Sequence, residues 1–365
     1  MSLSSLTIVI PTMNRPKSIL RAMHYWSDYD AIVHIFDGSQ EPIELSLISS
    51  MSSNINYHHM PFDLMERLNK SIEFVNTKYS MMIPDDEFFI PSGLESCIEE
   101  LNDNKEIVSC FGLAISFQLK GNEVLSNIVY HNLKSSSLPQ NSPSDRSIAH
   151  MSNYCPSTIY SVMRTDIWKK SMRSLSYKNF EVFVASVGEL QFEITTSYLG
   201  KIKVINELIW LRSYENDAIR LQESEATETI QEFWNKESNK LIKDEIINTI
   251  VESIASEEDN VSLIASDIYY AFDAYLNVYE HTPSYSYIKI SQKSLISKSY
   301  KFLKAILPKS IISLLLKLLK LLKIIDVNSL KTISKQVTIL HKDGIKIDFS
   351  EIKKIEKILL NNNFK

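Results

Sequence analysis

Leu6-Thr7-Ile8-Val9-Ile10-Pro11-Thr12-Met13-Asn14-Arg15-Pro16 announces a buried strand that runs into a turn. Residues 6–10 are β-branched and almost uniformly apolar, the pattern of a parallel strand covered on both faces. On this reading Pro11 ends the strand, and Asn14-Arg15-Pro16 supplies turn chemistry and a helix start. A second apolar run, Ala31-Ile32-Val33-His34-Ile35-Phe36, leads into Asp37-Gly38-Ser39. Between the two, Ile19, Leu20, Met23 and Trp26 recur at helical spacing. The pattern predicts a strand–helix–strand unit of an α/β fold, with polar residues gathered where the strands end. Open parallel sheets bind ligands at that carboxyl edge.

A third apolar run, Tyr79-Ser80-Met81-Met82-Ile83, is followed by Pro84-Asp85-Asp86-Glu87. Adjacent carboxylates at the end of a buried strand repel one another, and partial burial makes each harder to ionise. A divalent cation relieves both costs, and an oxygen-rich site suits Mg²⁺ or Mn²⁺, which commonly bridge the phosphates of a nucleotide. The competing reading is a solvated acidic turn.

Taken in order, the first strand and its turn, Asp37-Gly38-Ser39, Arg67-Leu68-Asn69-Lys70-Ser71, Asp85-Asp86-Glu87 and Tyr160-Ser161-Val162-Met163-Arg164-Thr165 resemble the GT-A-fold, family-2-like glycosyltransferases. More narrowly, the set resembles bacterial enzymes of surface-polysaccharide (capsule or lipopolysaccharide) biosynthesis. The resemblance covers roughly residues 5–215. It implies a GT-A, Rossmann-like nucleotide-sugar-binding domain over residues 1–216; the residues beyond it, outside the resemblance, read as a mainly helical extension over 217–300 and a basic amphipathic region over 301–365.

The resemblance also implies roles. Pro11, Thr12, Asn14 and Arg15 line the nucleotide pocket, and Asp37 hydrogen-bonds the base, the alternative being a turn cap before Gly38. Arg67 faces the nucleotide or its phosphates, as a cationic fork suits phosphate oxygens. Asp85 and Asp86 meet the donor, and Asp85 and Glu87 take the first and last positions of a metal-binding Asp-x-Asp motif for Mg²⁺ or Mn²⁺. Glu87 departs from the family's usual Asp, which leaves metal geometry and metal need open. Arg212 borders the donor phosphates.

An inverting transfer needs a base for the acceptor hydroxyl. Gly188-Glu189-Leu190-Gln191-Phe192-Glu193 is the matching segment, with Glu189 as base, Gly188 giving backbone freedom, and Glu193 one helical turn on as support or acceptor contact. Residues 118–145 read as a polar loop on the acceptor side, and Arg146, His150 and Tyr154 are the acceptor-binding candidates.

His58-His59 invites a metal reading, but adjacent residues of an extended segment point to opposite faces, so a strand end is favoured. Cys97, Cys110 and Cys155 lack zinc-like spacing and suit reduced thiols in a cytoplasmic protein. The net charge of −5 argues against nucleic-acid affinity. No N-terminal secretory signal is read, and no segment of about twenty apolar residues supplies a membrane span.

Charge is unevenly distributed. Residues 281–325 hold nine lysines and no acid. At 100° per residue, Lys309, Ser313, Lys317, Lys320 and Lys323 share one side of a helix whose remaining face is Leu and Ile. Such a helix lies in an anionic membrane interface, or it is buried between domains or in a homo-oligomer. Residues 345–360 form a second, weaker amphipathic segment. Residues 217–280 read as helical, with a turn at Glu257-Glu258-Asp259-Asn260.

The reading is therefore a glycosyltransferase peripheral to the inner face of the cytoplasmic membrane. It takes a UDP- or CMP-linked donor and a glycan or lipid-linked acceptor, with inversion. The alternatives are a nucleotidyltransferase of sugar activation and a non-catalytic membrane scaffold. The first rival wants a Gly-rich loop after the first strand, and residues 11–16 have no glycine.

Overall fold

The structure, a computed structural model, describes residues 2–48, 52–156, 158–175, 184–215, 230–280 and 330–361. The chain opens with β1 (Leu6–Thr12), α1 (Pro16–Trp26), β2 (Ile32–Asp37), α2 (Leu45–Ile48), β3 (Ile55–His59), α3 (Leu64–Ser71) and β4 (Tyr79–Met82). These four strands lie parallel in the order β4-β1-β2-β3, with Val9 opposite Met82, Thr12 opposite Asp37, and Asp37 opposite His59. The polar residues after each strand therefore collect along one edge.

Strand alternation decides which helices cover the sheet. Ile8, Ile10, Val33, Ile35 and Met81 face one core, with Ile19, Met23 and Trp26 of α1. Val9, Phe36 and Met82 face the other, with Met65 and Leu68 of α3. Both faces are filled, which is why the strands read as continuous apolar runs rather than alternating ones.

Beyond β4 the sheet turns antiparallel. After β5 (Phe88–Phe89), α4 (Pro91–Asp103), β6 (Ile107–Lys120), β7 (Glu123–Ile128), α5 (Pro143–Ser152), β8 (Val162–Arg164), α6 (Thr165–Arg173), α7 (Val184–Leu199) and β9 (Lys201–Ser213), the order is β10-β7-β6-β8-β4-β1-β2-β3. Here β10 is Lys331–Thr332, and β9 pairs β5 and β6 off the main path. The ten-stranded mixed sheet is GT-A/Rossmann-like, and the C-terminal region is largely helical: α8 (Ile230–Asn235), α9 (Lys240–Ile254), α10 (Val261–Glu280), α11 (Ile333–Lys342) and α12 (Phe349–Leu360).

Several details differ from the sequence reading. Pro11 does not end β1, which continues to Thr12. Val9 O accepts from Ile83 N, so alternation turns residue 11 to the same side, past the last β4 partner, where a missing N–H breaks no ladder bond. The expected loop over 118–145 is largely ordered. Lys120 faces Glu123 across a two-residue Gly121-Asn122 turn, and Gly121 takes the positive φ of 62° that such a turn uses. Ser142 then caps α5 by accepting from Asp145 N at 3.2 Å, with Pro143 in the first turn.

The chain divides into two compact units, Met1–Tyr275 with Lys331–Lys365, and Leu276–Leu330. Most of the second unit, including the basic stretch 301–325, lies outside the described residues, as does 216–229. Within the first unit, the amphipathic 345–360 segment is α12, and its apolar side faces the protein core. Ile352, Ile355, Ile358 and Leu359 are buried there, each stabilising the fold by roughly 1.5–3 kcal/mol. Its polar side joins the turn that follows α1: Tyr29 Oη donates to Glu351 Oε1 at 2.6 Å, and Lys354 Nζ pairs with Asp28 at 3.0 Å. Among the described residues no helix is long and apolar enough to cross a membrane.

Candidate functional site

Thr12, Asp37 and Asp85 stand at or just past the carboxyl ends of β1, β2 and β4, and the fold ties them together. Thr12 Oγ1 donates to Asp85 Oδ2 at 2.6 Å. Asp37 is buried, and its carboxylate accepts from Ser39 N at 2.9 Å, Ser39 Oγ at 2.5 Å and Tyr57 Oη at 2.6 Å. It is thus a turn cap through Ser39 and a cross-strand anchor through Tyr57 at once. Burial, then the bond to Asp37, pushes the Tyr57 hydroxyl up to about 12, so it stays a donor.

Arg67 of α3 is buried beneath these ends. Its Nη1 donates to Thr12 O at 2.6 Å and Phe36 O at 2.7 Å, and its Nε to Phe62 O at 3.1 Å. It therefore clamps the carboxyl ends of β1 and β2 together. Pro11 and Arg15 are partly exposed beside it, and Asn14 is exposed. Asn14 holds φ at 57°, unusual for a side-chain-bearing residue, with its N–H on Ser39 Oγ at 2.7 Å. The β1–α1 turn is thereby pinned to the β2 end.

The acidic segment divides. Asp85 accepts from Arg15 Nη1 at 3.0 Å as well as from Thr12, and Arg15 also lies 3.7 Å from Asp86 Oδ2. Arg21 of α1 donates to Asp86 O at 3.1 Å. Burial, then the neighbouring Asp86, pushes Asp85 up to about 6. Glu87 turns toward β9 and accepts from Trp210 Nε1. Burial, then Asp86, pushes it up to about 8, against the opposing pull of Arg212.

Around Glu87 stands an aromatic wall that sequence reasoning missed. Tyr130 stacks on Trp210 with centroids 5.3 Å apart and planes at 15°, and Tyr160 lies 5.1 Å from the same indole. Arg212 donates to Tyr130 Oη and lies over the rings of Tyr130 at 5.0 Å and Tyr214 at 5.6 Å. Tyr130 has φ 52°, a costly conformation for an aromatic residue and one that clusters at functional sites. Nothing in its local sequence signals this.

On the facing side, Glu189 and Glu193 of α7 behave differently. Glu189 is partly exposed and accepts from Tyr154 Oη. Burial, then Glu189, raises the Tyr154 hydroxyl well above its ordinary value, so it remains protonated. Glu193 is fully buried and accepts from His150 Nε2 at 2.6 Å, Thr158 Oγ1 at 2.5 Å, Thr158 N at 3.2 Å and Ile159 N at 3.0 Å. It fixes α5 and the 158–160 turn onto α7. Gly188 lies within α7, where a Cβ would meet the flexible tip of Met65, with Cε 2.7 Å away.

Arg146, read from the sequence as an acceptor contact, has its guanidinium on backbone carbonyls. It donates to Ser197 O at 2.9 Å and Tyr198 O at 2.6 Å, in the last turn of α7, and to Gln140 O and Asn141 O. This satisfies carbonyls that a helix end leaves open. Arg164 does the same for α4 through Leu101 O, Asn104 O and Ile107 O.

A cation shared by Asp85 and Glu87 needs both carboxylates turned to one point. One is committed to Thr12 and Arg15, the other to Trp210 of β9, so the pair as placed does not fit a shared ion. Among the described residues no group of three His, Cys, Asp or Glu side chains is arranged to hold a metal. The His58-His59 pair separates as strand geometry requires: His58 Nε2 meets His34 Nδ1 at 2.9 Å, and His59 Nε2 lies 2.8 Å from Ser39 O. Cys97, Cys110 and Cys155 are free and buried.

Residues 7–155 match the model for Glycosyl transferase family 2. The matched segment carries Thr12, Asp37, Arg67 and Asp85 to Glu87, and ends one residue past Tyr154. Solved structures that resemble the chain include S. aureus TarS 1-349 in complex with UDP-GlcNAc, at 13% identity and TM-score 0.43, covering 76% of this chain and 89% of that one. The UDP complex of the same fragment gives 13% and 0.42 with the same coverage. S. aureus TarS gives 13% and 0.42 over 77% of this chain and 55% of that one. No curated protein matches the sequence.

Proposed function

We propose that this chain transfers a sugar from a UDP- or CMP-linked donor to a hydroxyl of a bacterial surface glycan or lipid-linked acceptor, with inversion at the anomeric carbon. The observation that carries the reading is the family-2 match over residues 7–155, whose strand ends bring Asp37, Arg67 and Asp85 to one edge. The nucleotide lies over Pro11, Thr12, Asn14 and Asp37, above the strand ends that Arg67 clamps. Its phosphates meet Arg15 near Asp85 on one side and Arg212 on the other.

Glu189 is the base. Its Oε1 accepts from Tyr154, which orients the carboxylate on α7. In a single displacement the acceptor oxygen bonds to the anomeric carbon, the bond from that carbon to the phosphate oxygen breaks, the proton passes to Glu189, and the nucleotide leaves with the bonding electrons. Preorganised cations at the leaving phosphate lower the barrier, because charge develops there in the transition state. Glu193 and His150 act behind Glu189 by fixing its helix against the 158–160 turn. Tyr130, Tyr160 and Trp210 form apolar walls suited to a sugar ring face. The protein works at the inner face of the cytoplasmic membrane, where the lysine-rich 301–325 stretch meets anionic headgroups.

The test is a donor-hydrolysis and transfer assay over a panel of nucleotide sugars. Release of nucleotide from one donor class, lost in Glu189→Gln while nucleotide binding persists, supports the reading. Unchanged turnover in that variant removes Glu189 from the base role.

A further inference from the structure

The acidic segment bears on what faces the phosphate of the donor. Asp85 presents one oxygen to Thr12 Oγ1 at 2.6 Å and the other to Arg15 Nη1 at 3.0 Å. Asp86 lies 3.7 Å from the same guanidinium nitrogen, and its carbonyl is held by Arg21 Nη2 at 3.1 Å. Glu87 is drawn to Trp210 Nε1, on a strand that does not touch β1. Arg212 sits at that second end, between the rings of Tyr130 and Tyr214. Each end of the acidic segment thus has its own guanidinium, and the two outer carboxylates are anchored on different strands.

Arg15 has a further geometric qualification. It leads directly into α1, in a turn fixed by Asn14 N on Ser39 Oγ, and its side chain is 22% exposed. It therefore has a guanidinium that reaches Asp85 from the open side of the strand ends while its backbone is held. A planar guanidinium can bond a carboxylate and a phosphate together, since its five N–H donors point along different edges.

Resting on the nucleotide-sugar reading above, we infer that donor binding in this chain is independent of a divalent cation. Arg15, seated on Asp85, supplies the positive charge that meets the donor's phosphate, and Glu87 is withdrawn from ion binding onto Trp210.

The experiment is isothermal titration of UDP, CMP and GDP into the full chain, in EDTA and in Mn²⁺. The expected result is one nucleotide that binds with affinities within about twofold of each other in the two buffers. Arg15→Ala then weakens that nucleotide by about tenfold or more in both buffers, the scale of one charge-assisted hydrogen bond, and Arg15→Lys falls between. Thermal melts of each variant check that the fold is intact. Binding that appears only with Mn²⁺, or an Arg15→Ala variant that melts normally and keeps full affinity in EDTA, overturns the inference and leaves the nucleotide reading standing. If none of the three nucleotides binds in either buffer, the nucleotide reading falls, and this inference with it.

Discussion

Tyr154 donates its hydroxyl hydrogen to Glu189 across 35 residues of sequence, joining the last turn of the family-matched segment to a helix that lies outside it. The pair orients the Glu189 carboxylate. Glu189→Gln is expected to lower transfer by about 10²–10⁴-fold, the usual contribution of a positioned base. Tyr154→Phe keeps the base but frees its rotamer, and should lower kcat less than Glu189→Gln does. Steady-state kinetics on the donor identified by the hydrolysis panel reads both.

Glu193 makes a different prediction. Its buried carboxylate receives four hydrogen bonds, so Glu193→Ala leaves His150, Thr158 and Ile159 unpaired in the interior. Breaking one side of such a buried network costs about 3–5 kcal/mol. Urea unfolding should show that loss, whereas Glu189→Gln, at a partly exposed position, should stay near wild type.

Glu87 links stability to pH. Its folded-state value of about 8 lies above that of an unfolded glutamic acid, so the native state binds the proton more tightly across that window. Stability therefore falls as pH rises from the ordinary glutamic acid range toward 8, and the loss is complete above 8, where the buried carboxylate is ionised in the native state as well. Glu87→Gln should melt higher than wild type at pH 9 and no higher at pH 4, by differential scanning calorimetry in EDTA.

His34 acts at the acid end. Burial, then the neighbouring His58, lowers it to about 4, against an ordinary value near 6.5. The unfolded chain takes up that proton first, so stability falls as pH drops from about 6.5 toward 4. Replacing His34 by Phe, beside Phe36 and Phe74, should flatten this acid limb in a series of melts.

Much of the fold was legible because β1, β2 and β4 are covered on both faces, so each reads, short of its carboxyl end, as a nearly continuous apolar run broken only by Thr7, His34 and Ser80. The strand ends that carry Asp37 and Asp85 followed directly. The β6–β7 hairpin was less legible because one side of β7 is polar and partly exposed, and Gly121-Asn122 was passed over as loop chemistry. The site's remaining partners are contacts that local pattern cannot encode. Trp210 meets Glu87 from 123 residues away, and Tyr57 reaches Asp37 from the next strand. Arg146 looked like a ligand-binding cation because nothing in the sequence shows that helix α7 ends against it.

The closing of the sheet by β10, α11 and α12 has a consequence for how the protein is made. Lys331 and Thr332 cover the edge of β7 by pairing with Ser126 and Leu125, and Ile352 and Ile355 join the core begun by Ile8 and Ile10. Chains emerge from the ribosome N-terminus first at about 5–20 residues per second. The nascent domain therefore waits some ten seconds or more, with an open strand edge and an uncovered apolar face, for its last helices to be translated. A premature stop codon between residues 215 and 331 releases a chain that holds Thr12, Asp37, Asp85 and Arg212 but leaves the β7 edge and this apolar face uncovered, a substrate for chaperones and proteases.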